Sequence, residues 1–355
     1  MTIQARNSIT IEDVATAAGV SRAAVSKVIR DAYGVSPEMR TKVQAAIADL
    51  GYRPRASARA MRGSSYTLGV EIPSIHNHFF PKIITGATMA LADSQYQLII
   101  APAGPDHDEG PQAIEVLADR QVDGIVAISS RVSKEWLENL AVQIPLVMIG
   151  RHHASVHYDT LVGDDLVGAG LAVAHLHELG HRRIVHLTLQ EARQDTLPDT
   201  PHGMRLLGYQ QAMERLGLTP EVVRVEGSQE GARAGALRLL TTADGPVGIF
   251  AAHDELALGV LQAVSELGLS AGQASVLGYD DTDIAAHPLM SLTSVNQSGT
   301  QMGAIAVRLL LERIQGRTVS VHEVVTPKVM ARNSTAAPVG RQPKAAGTVP
   351  ATLTN

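Results

Sequence analysis

Within residues 9–51, apolar positions recur at three- and four-residue intervals and stop at glycines, a pattern that predicts three short helices. Thr10 is placed to N-cap the first, with Asp13 in the position of a capping-box acid, Val14, Ala17 and Ala18 on one face, and Gly19 at the end. Ser21 caps the second, which is expected to bury Ala24, Val25 and Val28 while Arg22, Ala23, Ser26 and Lys27 point away. Ser36 and Pro37 open the third, whose apolar side is Val43, Ala46, Ile47 and Leu50 and which Gly51 ends. The order helix, glycine turn, helix, supporting helix is a helix-turn-helix pattern.

After Gly63-Ser64-Ser65 the pattern changes to short apolar runs alternating with helical stretches. Tyr66 to Ile72, Gln97 to Ala101, Gly124 to Ile128 and Pro145 to Ile149 read as buried strands, with helical spacing over Phe80 to Ser94, Pro111 to Arg120 and Lys134 to Leu140 between them. The series repeats with helices at 166–179, 204–216, 230–241 and 256–267 and strands at 184–188, 222–225, 247–251 and 275–277. Strand-helix alternation of this kind predicts an α/β body of two doubly wound, parallel-sheet lobes. A last helix at 297–314 and a strand at 322–326 follow both lobes, and residues 334–355 lack any periodicity and read as a disordered tail.

Charge sharpens this division. The chain of 355 residues carries a net charge of −5, yet residues 1–62 hold ten Lys or Arg against five Asp or Glu, leaving twenty against thirty in the remainder. A basic head suits a phosphate backbone, and an acidic body would be repelled by it, so DNA contact is expected from the head alone. The absence of cysteine rules out disulfides, thiolate zinc sites and cysteine nucleophiles. With no signal peptide at Met1-Thr2-Ile3-Gln4 and no apolar run near the ~20 residues that span a bilayer, the expected location is cytoplasmic.

The string Thr10-Ile11-Glu12-Asp13-Val14-Ala15, then Ala18-Gly19-Val20-Ser21, Val25-Ser26-Lys27-Val28, Gly51-Tyr52-Arg53-Pro54 and Ala58-Arg59-Ala60-Met61, closely resembles the LacI/GalR family of bacterial transcription regulators. The resemblance implies a helix-turn-helix domain over 1–54 whose second helix enters the major groove, and a hinge helix over 55–63 that enters the minor groove of a pseudo-palindromic operator in a homodimer. On that basis Ser21, Arg22, Ala23, Ser26 and Lys27 face DNA, as do Arg55, Ala58 and Met61 of the hinge. Arg and Lys can read guanine, Ala23 offers only a methyl to thymine, and Met61 stands where the family usually has a wedging leucine. Arg55 replaces the family's usual asparagine.

Resemblance continues to about residue 336 through Asn77-His78-Phe79-Phe80, Val162-Gly163-Asp164-Asp165, Leu179-Gly180-His181, His253-Asp254-Glu255 and Gly278-Tyr279-Asp280-Asp281. It implies a body like a periplasmic sugar-binding protein, with lobe 1 over 64–161 and 296–326, lobe 2 over 162–295 and 327–333, and an effector between them. The family's motifs place Phe79 and Phe80, Arg205 and Asp280 in that cleft, and His253 stands where an asparagine is common. Arg151, after a strand end, is a further candidate, whereas Asp254 is expected to cap the helix after it. A carboxylate, a guanidinium and an aromatic face suit a polyol, so the expected effector is a sugar or sugar derivative; a non-sugar metabolite is the alternative ligand. Gln229 near the place of an aromatic lid argues against a nucleobase.

Several other strings carry no chemistry. His177-Glu178-Leu179-Gly180-His181 matches a zinc-protease motif, but a helix ending at Gly180 takes the second histidine off the shared face. Ala169 stands where a phosphate loop needs lysine, and there is no serine elbow. His76, His78, His152, His153 and His157 are spread over two loops and are expected in solvated or capping roles rather than as a cluster. No metal, cofactor or catalytic residue is expected, and an enzyme is disfavoured. A transport-type sugar receptor is disfavoured by the basic head. The sequence is thus read as an effector-controlled repressor without a tail-built tetramer, since no leucine heptad follows the last strand.

Overall fold

A computed structural model describes residues 9–29, 32–52, 64–103, 110–128, 132–190 and 199–339. The chain divides into two compact units, residues 1–65 and 66–355.

In the first unit, α1 (Ile11–Ala18), α2 (Arg22–Ile29) and α3 (Pro37–Leu50) close on Val14, Ala15, Val25, Val28, Val43 and Ala46. The capping box of α1 is reciprocal: the Thr10 amide donates to Asp13 Oδ2 at 2.7 Å and the Asp13 amide to Thr10 Oγ1 at 3.4 Å. Gly19 and Gly51 end α1 and α3 at φ of +64° and +62°, a conformation that favours glycine. Two side chains turn the other way from the sequence expectation. Ala17 is exposed and Ala15 takes its place, because Ile11, Val14, Ala15 and Ala18 form the more continuous helical stripe. Ser26, expected outward, is buried beside Val25.

The second unit contains two six-stranded sheets. The first runs β11-β5-β4-β3-β1-β2, from β1 (Thr67–Ile72), β2 (Gln97–Pro102), β3 (Gly124–Ala127), β4 (Leu146–Ile149), β5 (Asp159–Gly163) and β11 (His322–Val325), parallel throughout. The second runs β12-β10-β9-β8-β6-β7, from β6 (Ile184–Leu189), β7 (Glu221–Val225), β8 (Val247–Ala251), β9 (Ala274–Tyr279), β10 (Thr293–Asn296) and β12 (Lys328–Met330). The sheet is parallel as expected except at one edge, where β12 lies antiparallel to β10. The strand expected at 97–101 as buried is instead an edge, with Ile99 and Ile100 exposed.

Helices cover both faces of each sheet, as βαβ crossovers require. On the first sheet, α4 (Phe79–Ala90) and α12 (Gly299–Ile314) pack over Leu68, Val70, Val126 and Val147, while α5 (Gly110–Asp119) and α6 (Lys134–Ala141) cover Ile125, Leu146 and Met148. On the second sheet, α7 (Asp165–Glu178) and α8 (Pro201–Arg215) enclose Phe250, Leu277 and Tyr279, while α9 (Gln229–Thr241) and α10 (Asp254–Glu266) enclose Val185, Ile249 and Val276. A short α11 (Asp283–Ala286) follows β9. Each fully buried aliphatic or aromatic side chain contributes about 1.5–3 kcal/mol. Among the described residues no helix is long and apolar enough to cross a membrane.

Residues 334–339 contradict the expected start of a disordered tail. Ser334 Oγ donates to the Val276 carbonyl at 2.6 Å and accepts from the Thr293 amide at 2.8 Å, and the Val339 amide donates to Gly272 at 2.9 Å. Polar side chains here complete the hydrogen bonds of strand backbones, which hydrophobic periodicity does not register. Residues 340–355 lie outside the described residues.

The α4–α12 crossing relies on two glycines. A Cβ on Gly86 would stand 1.8 Å from the Thr300 carbonyl oxygen, and one on Gly303 would stand 1.9 Å from that of Ile83. Gly86→Val should therefore destabilise the body by about 3 kcal/mol or more in chemical denaturation, whereas the same change at open Gly245 should cost well under half of that. Equal costs at the two positions would show that the helices can separate freely.

Candidate ligand cleft and nucleic-acid interface

Carboxyl ends of strands from both sheets open on one cleft of about 830 Å³. Pro73 and Ser74 follow β1, Ile128 follows β3, Gly150 follows β4, Gln190 follows β6, Glu226 follows β7 and Asp280 follows β9, so parallel winding delivers the lining from many separate chain segments.

Arg205 on α8 forms the floor. Its Nε donates to Asp165 Oδ1 at 2.7 Å and one terminal nitrogen donates to the Ala252 carbonyl at 2.8 Å. The other lies 3.8 Å from Asp280 Oδ1, and the guanidinium carbon sits 3.8 Å from the Tyr279 ring centre. A Cβ on Gly168 would fall 2.2 Å from the Tyr279 hydroxyl, so the absence of a side chain on α7 is what lets that ring lie beneath Arg205. Burial disfavours the guanidinium charge, but Asp165, Tyr279 and Asp280 together outweigh it and raise the pKa of Arg205 further. Burial likewise works against Asp165, and Arg205 with His152 still holds it below the ordinary aspartate range.

Asp280 is different. Burial pushes its carboxyl up to about 8, with Asp254 adding repulsion that Arg205 and a 2.5 Å hydrogen bond from Gln297 Nε2 only partly offset. Its backbone has φ of +107° and that of Asp281 +49°, conformations that cost a non-glycine residue roughly 1–3 kcal/mol. Asn296 and Arg332 hold the Asp281 carboxylate at 2.7 and 2.6 Å, and Lys82 of α4 donates to the Asp281 carbonyl.

The helix cap expected of Asp254 comes instead from His253, which also lines the cleft. The His253 ring accepts from the Leu256 amide through Nδ1 at 3.4 Å and so caps α10, and burial followed by the neighbouring Arg205 brings its pKa to about 3. Asp254 instead accepts from the Thr282 amide at 2.7 Å and from Ser294 Oγ at 2.6 Å, tying α10 to the turn after β9 and to β10.

Phe79, Phe80, Arg205, His253 and Asp280 line the cleft, although Phe79 is mostly buried against α12. Arg151 does not join them: it is buried and donates to the Val132 carbonyl, in the segment that leads into α6. Three residues that sequence reasoning assigned no ligand role also face the cleft or its floor. Asp165 and Gln297 had a signal, each standing where a strand gives way to a helix; His152 had none, and its Nε2 lies 2.8 Å from Asp165 Oδ2 rather than in solvent.

On the head, Arg22, Ala23 and Lys27 are exposed on α2, and the Ser21 hydroxyl accepts from the Ala24 amide at 3.2 Å. Buried Ser26 is not available on that face in the same way. Arg55, Ala58 and Met61, with the whole expected hinge helix, lie outside the described residues.

A helix-turn-helix head on one chain with a cleft-bearing, two-sheet body defines a ligand-responsive transcription regulator. Residues 10–55 match the bacterial regulatory proteins of the lacI family, and residues 173–335 match the periplasmic binding protein-like domain. The chain is 32% identical to the ribose operon repressor of Haemophilus influenzae, over 86% of this chain and 92% of that one. It is 31% identical to the ribose operon repressor of Escherichia coli, over 92% and 99%. Among solved structures, a LacI family transcriptional regulator from Enterococcus faecium with bound ribose superposes with a TM-score of 0.67 at 26% identity, covering 76% of this chain and 99% of that one. A lac repressor dimer bound to operator superposes at 0.77, with 24% identity and coverage of 93% and 100%, a likeness of fold. The chain belongs to the lacI family and is a transcription regulator rather than an enzyme.

The raised pKa of Asp280 gives a stability prediction for the ligand-free protein. A carboxyl whose folded pKa lies above its unfolded value contributes stability below about pH 4 that is lost as pH rises through about 8. Asp280→Asn, which keeps an acceptor for Gln297, should raise the melting temperature by several degrees at pH 8 and by little at pH 4. A gain independent of pH would show that Asp280 is ionised throughout.

Proposed function

We propose that the chain represses transcription as a homodimer on a pseudo-palindromic operator, with its DNA affinity set by a sugar or sugar derivative in the cleft. The observation that carries this reading is the buried Asp165–Arg205–Asp280 cluster on the cleft floor, where a fixed guanidinium fork and carboxyl oxygens stand beside apolar walls. The names of the ribose repressors and the ribose bound to the Enterococcus faecium regulator support a small sugar and make D-ribose the first ligand to try. In this reading residues 1–54 and 55–63 are the DNA-binding head and hinge, and the two lobes respond to ligand as one switch. Ligand and operator then each favour one arrangement of the lobes and alter each other's affinity.

Paired titrations test this. Asp280→Asn should weaken D-ribose binding about two- to tenfold near neutral pH, since the buried carboxyl there is largely the neutral acid, a neutral hydrogen bond contributes about 0.5–1.5 kcal/mol and 1.4 kcal/mol is a factor of ten. Its ligand-free affinity for an operator selected from random sequence should stay near wild type. Arg22→Ala and Lys27→Ala should reverse the pattern, costing about 1–3 kcal/mol on operator with base preference relaxed at one position, and leaving ribose affinity intact. Equal losses of both ligands in any of these variants would contradict the division of labour.

A further inference from the structure

Arg205 is the only lysine or arginine among the described residues that line the cleft. Its charge is already matched: Asp165 takes Nε, the Ala252 carbonyl takes a terminal nitrogen, and the Tyr279 ring covers one face. The lining also holds the carboxyls of Glu226 and Glu255 in addition to Asp165, while burial pushes Asp280 toward the neutral acid. His253, its Nδ1 occupied by the cap of α10, supplies no compensating positive charge.

Resting on the reading of the cleft as a sugar site, we propose that it takes an uncharged polyhydroxylated ligand and rejects phosphorylated and acidic sugars, with Asp165 as the residue that sets this choice. An anionic group entering here would give up water and meet carboxyls, with no unmatched lysine or arginine among the described lining residues to receive it, and uncompensated burial of charge is costly. A hydroxyl meets no such penalty. The Asp280 carboxyl and the Gln297 amide can each accept or donate, and Phe80, Ile128 and Ile149 cover the apolar face of a ring. Asp165 decides the outcome because it neutralises the one guanidinium while lying at the junction of β5 and α7, where His152 fixes its second oxygen at 2.8 Å. Without that negative charge the same Arg205 would be a cation facing the cleft.

The test uses the full chain near neutral pH and matched pairs: D-ribose with D-ribose 5-phosphate, D-glucose with D-glucose 6-phosphate, and D-galactose with D-galacturonate. Binding is read by calorimetry and thermal shift. The wild type should bind the uncharged member of at least one pair roughly tenfold or more tightly than its anionic partner, as like-charge contact costs kcal/mol. Asp165→Asn, which keeps an oxygen for Arg205 Nε, should shrink or reverse that ratio by about tenfold. Glu226→Gln, at the end of β7, should shrink it by a few fold, which keeps the charge argument testable if Asp165→Asn does not fold. An anionic member bound as tightly as its parent by wild type would overturn the proposal, as would a ratio unchanged in these variants. Failure of every sugar to bind would instead overturn the sugar reading beneath it.

Discussion

A guanidinium excluded from water must find its countercharges within the protein, and much of the cleft is arranged around where Arg205 finds them. Asp165 and Asp280 approach it from the ends of two different strands, and Tyr279 supplies the ring below. The two carboxyls receive unequal shares. Asp165, at 2.7 Å and with His152 as a second partner, is held as the carboxylate, whereas Asp280, at 3.8 Å and crowded by Asp254, is pushed toward the neutral acid. One acid therefore secures the arginine, and the other is left free to trade hydrogen bonds with whatever enters the cleft.

The same cluster is tied to both sheets. His152 follows β4 of the first sheet and reaches Asp165 beside the second; Lys82 of α4, which packs on the first sheet, grips the turn after β9 of the second and lies 3.2 Å from Asp283. That turn contains Asp280 and Asp281, both at positive φ. A strained segment held from several sides is suited to switching, because a small change in its contacts selects between discrete arrangements rather than a continuum. Occupancy of Asp280 by a ligand would act directly on the residue next to the Lys82 contact, which gives the cleft a short physical route to α4 and its partner α12.

Most of the architecture could be read from hydrophobic period. Alternation of short apolar strands with helical stretches marked α4 to α10 with ends within a few residues, and caps at Thr10, Ser36 and the glycines after α1 and α3 were placed correctly. The strands that escaped notice, β5, β10 and β12, are three to five residues long and include Asp159, Thr293, Ser294 and Lys328, so hydrogen bonding rather than an apolar run defines them. Family motifs brought Phe79, Phe80, Arg205, His253 and Asp280 to the cleft, but not the direction of each side chain. Arg151 donates to the Val132 carbonyl, and the cap of α10 comes from His253 because Asp254 is drawn inward by Thr282 and Ser294. The partners of Arg151 and Asp254 stand 19 to 40 residues away in sequence, which no local pattern contains.

If occupancy of the cleft governs affinity for DNA, the coupling must be reciprocal, and that reciprocity is the most direct test. Operator affinity should be measured with and without saturating cleft ligand, and ligand affinity with and without saturating operator, on the full chain. Linkage requires the same factor in both directions, and allosteric couplings of about 1–3 kcal/mol correspond to roughly 5- to 150-fold. A matching factor in that range is the predicted result. A ligand that fills the cleft and leaves operator affinity unchanged would contradict the account.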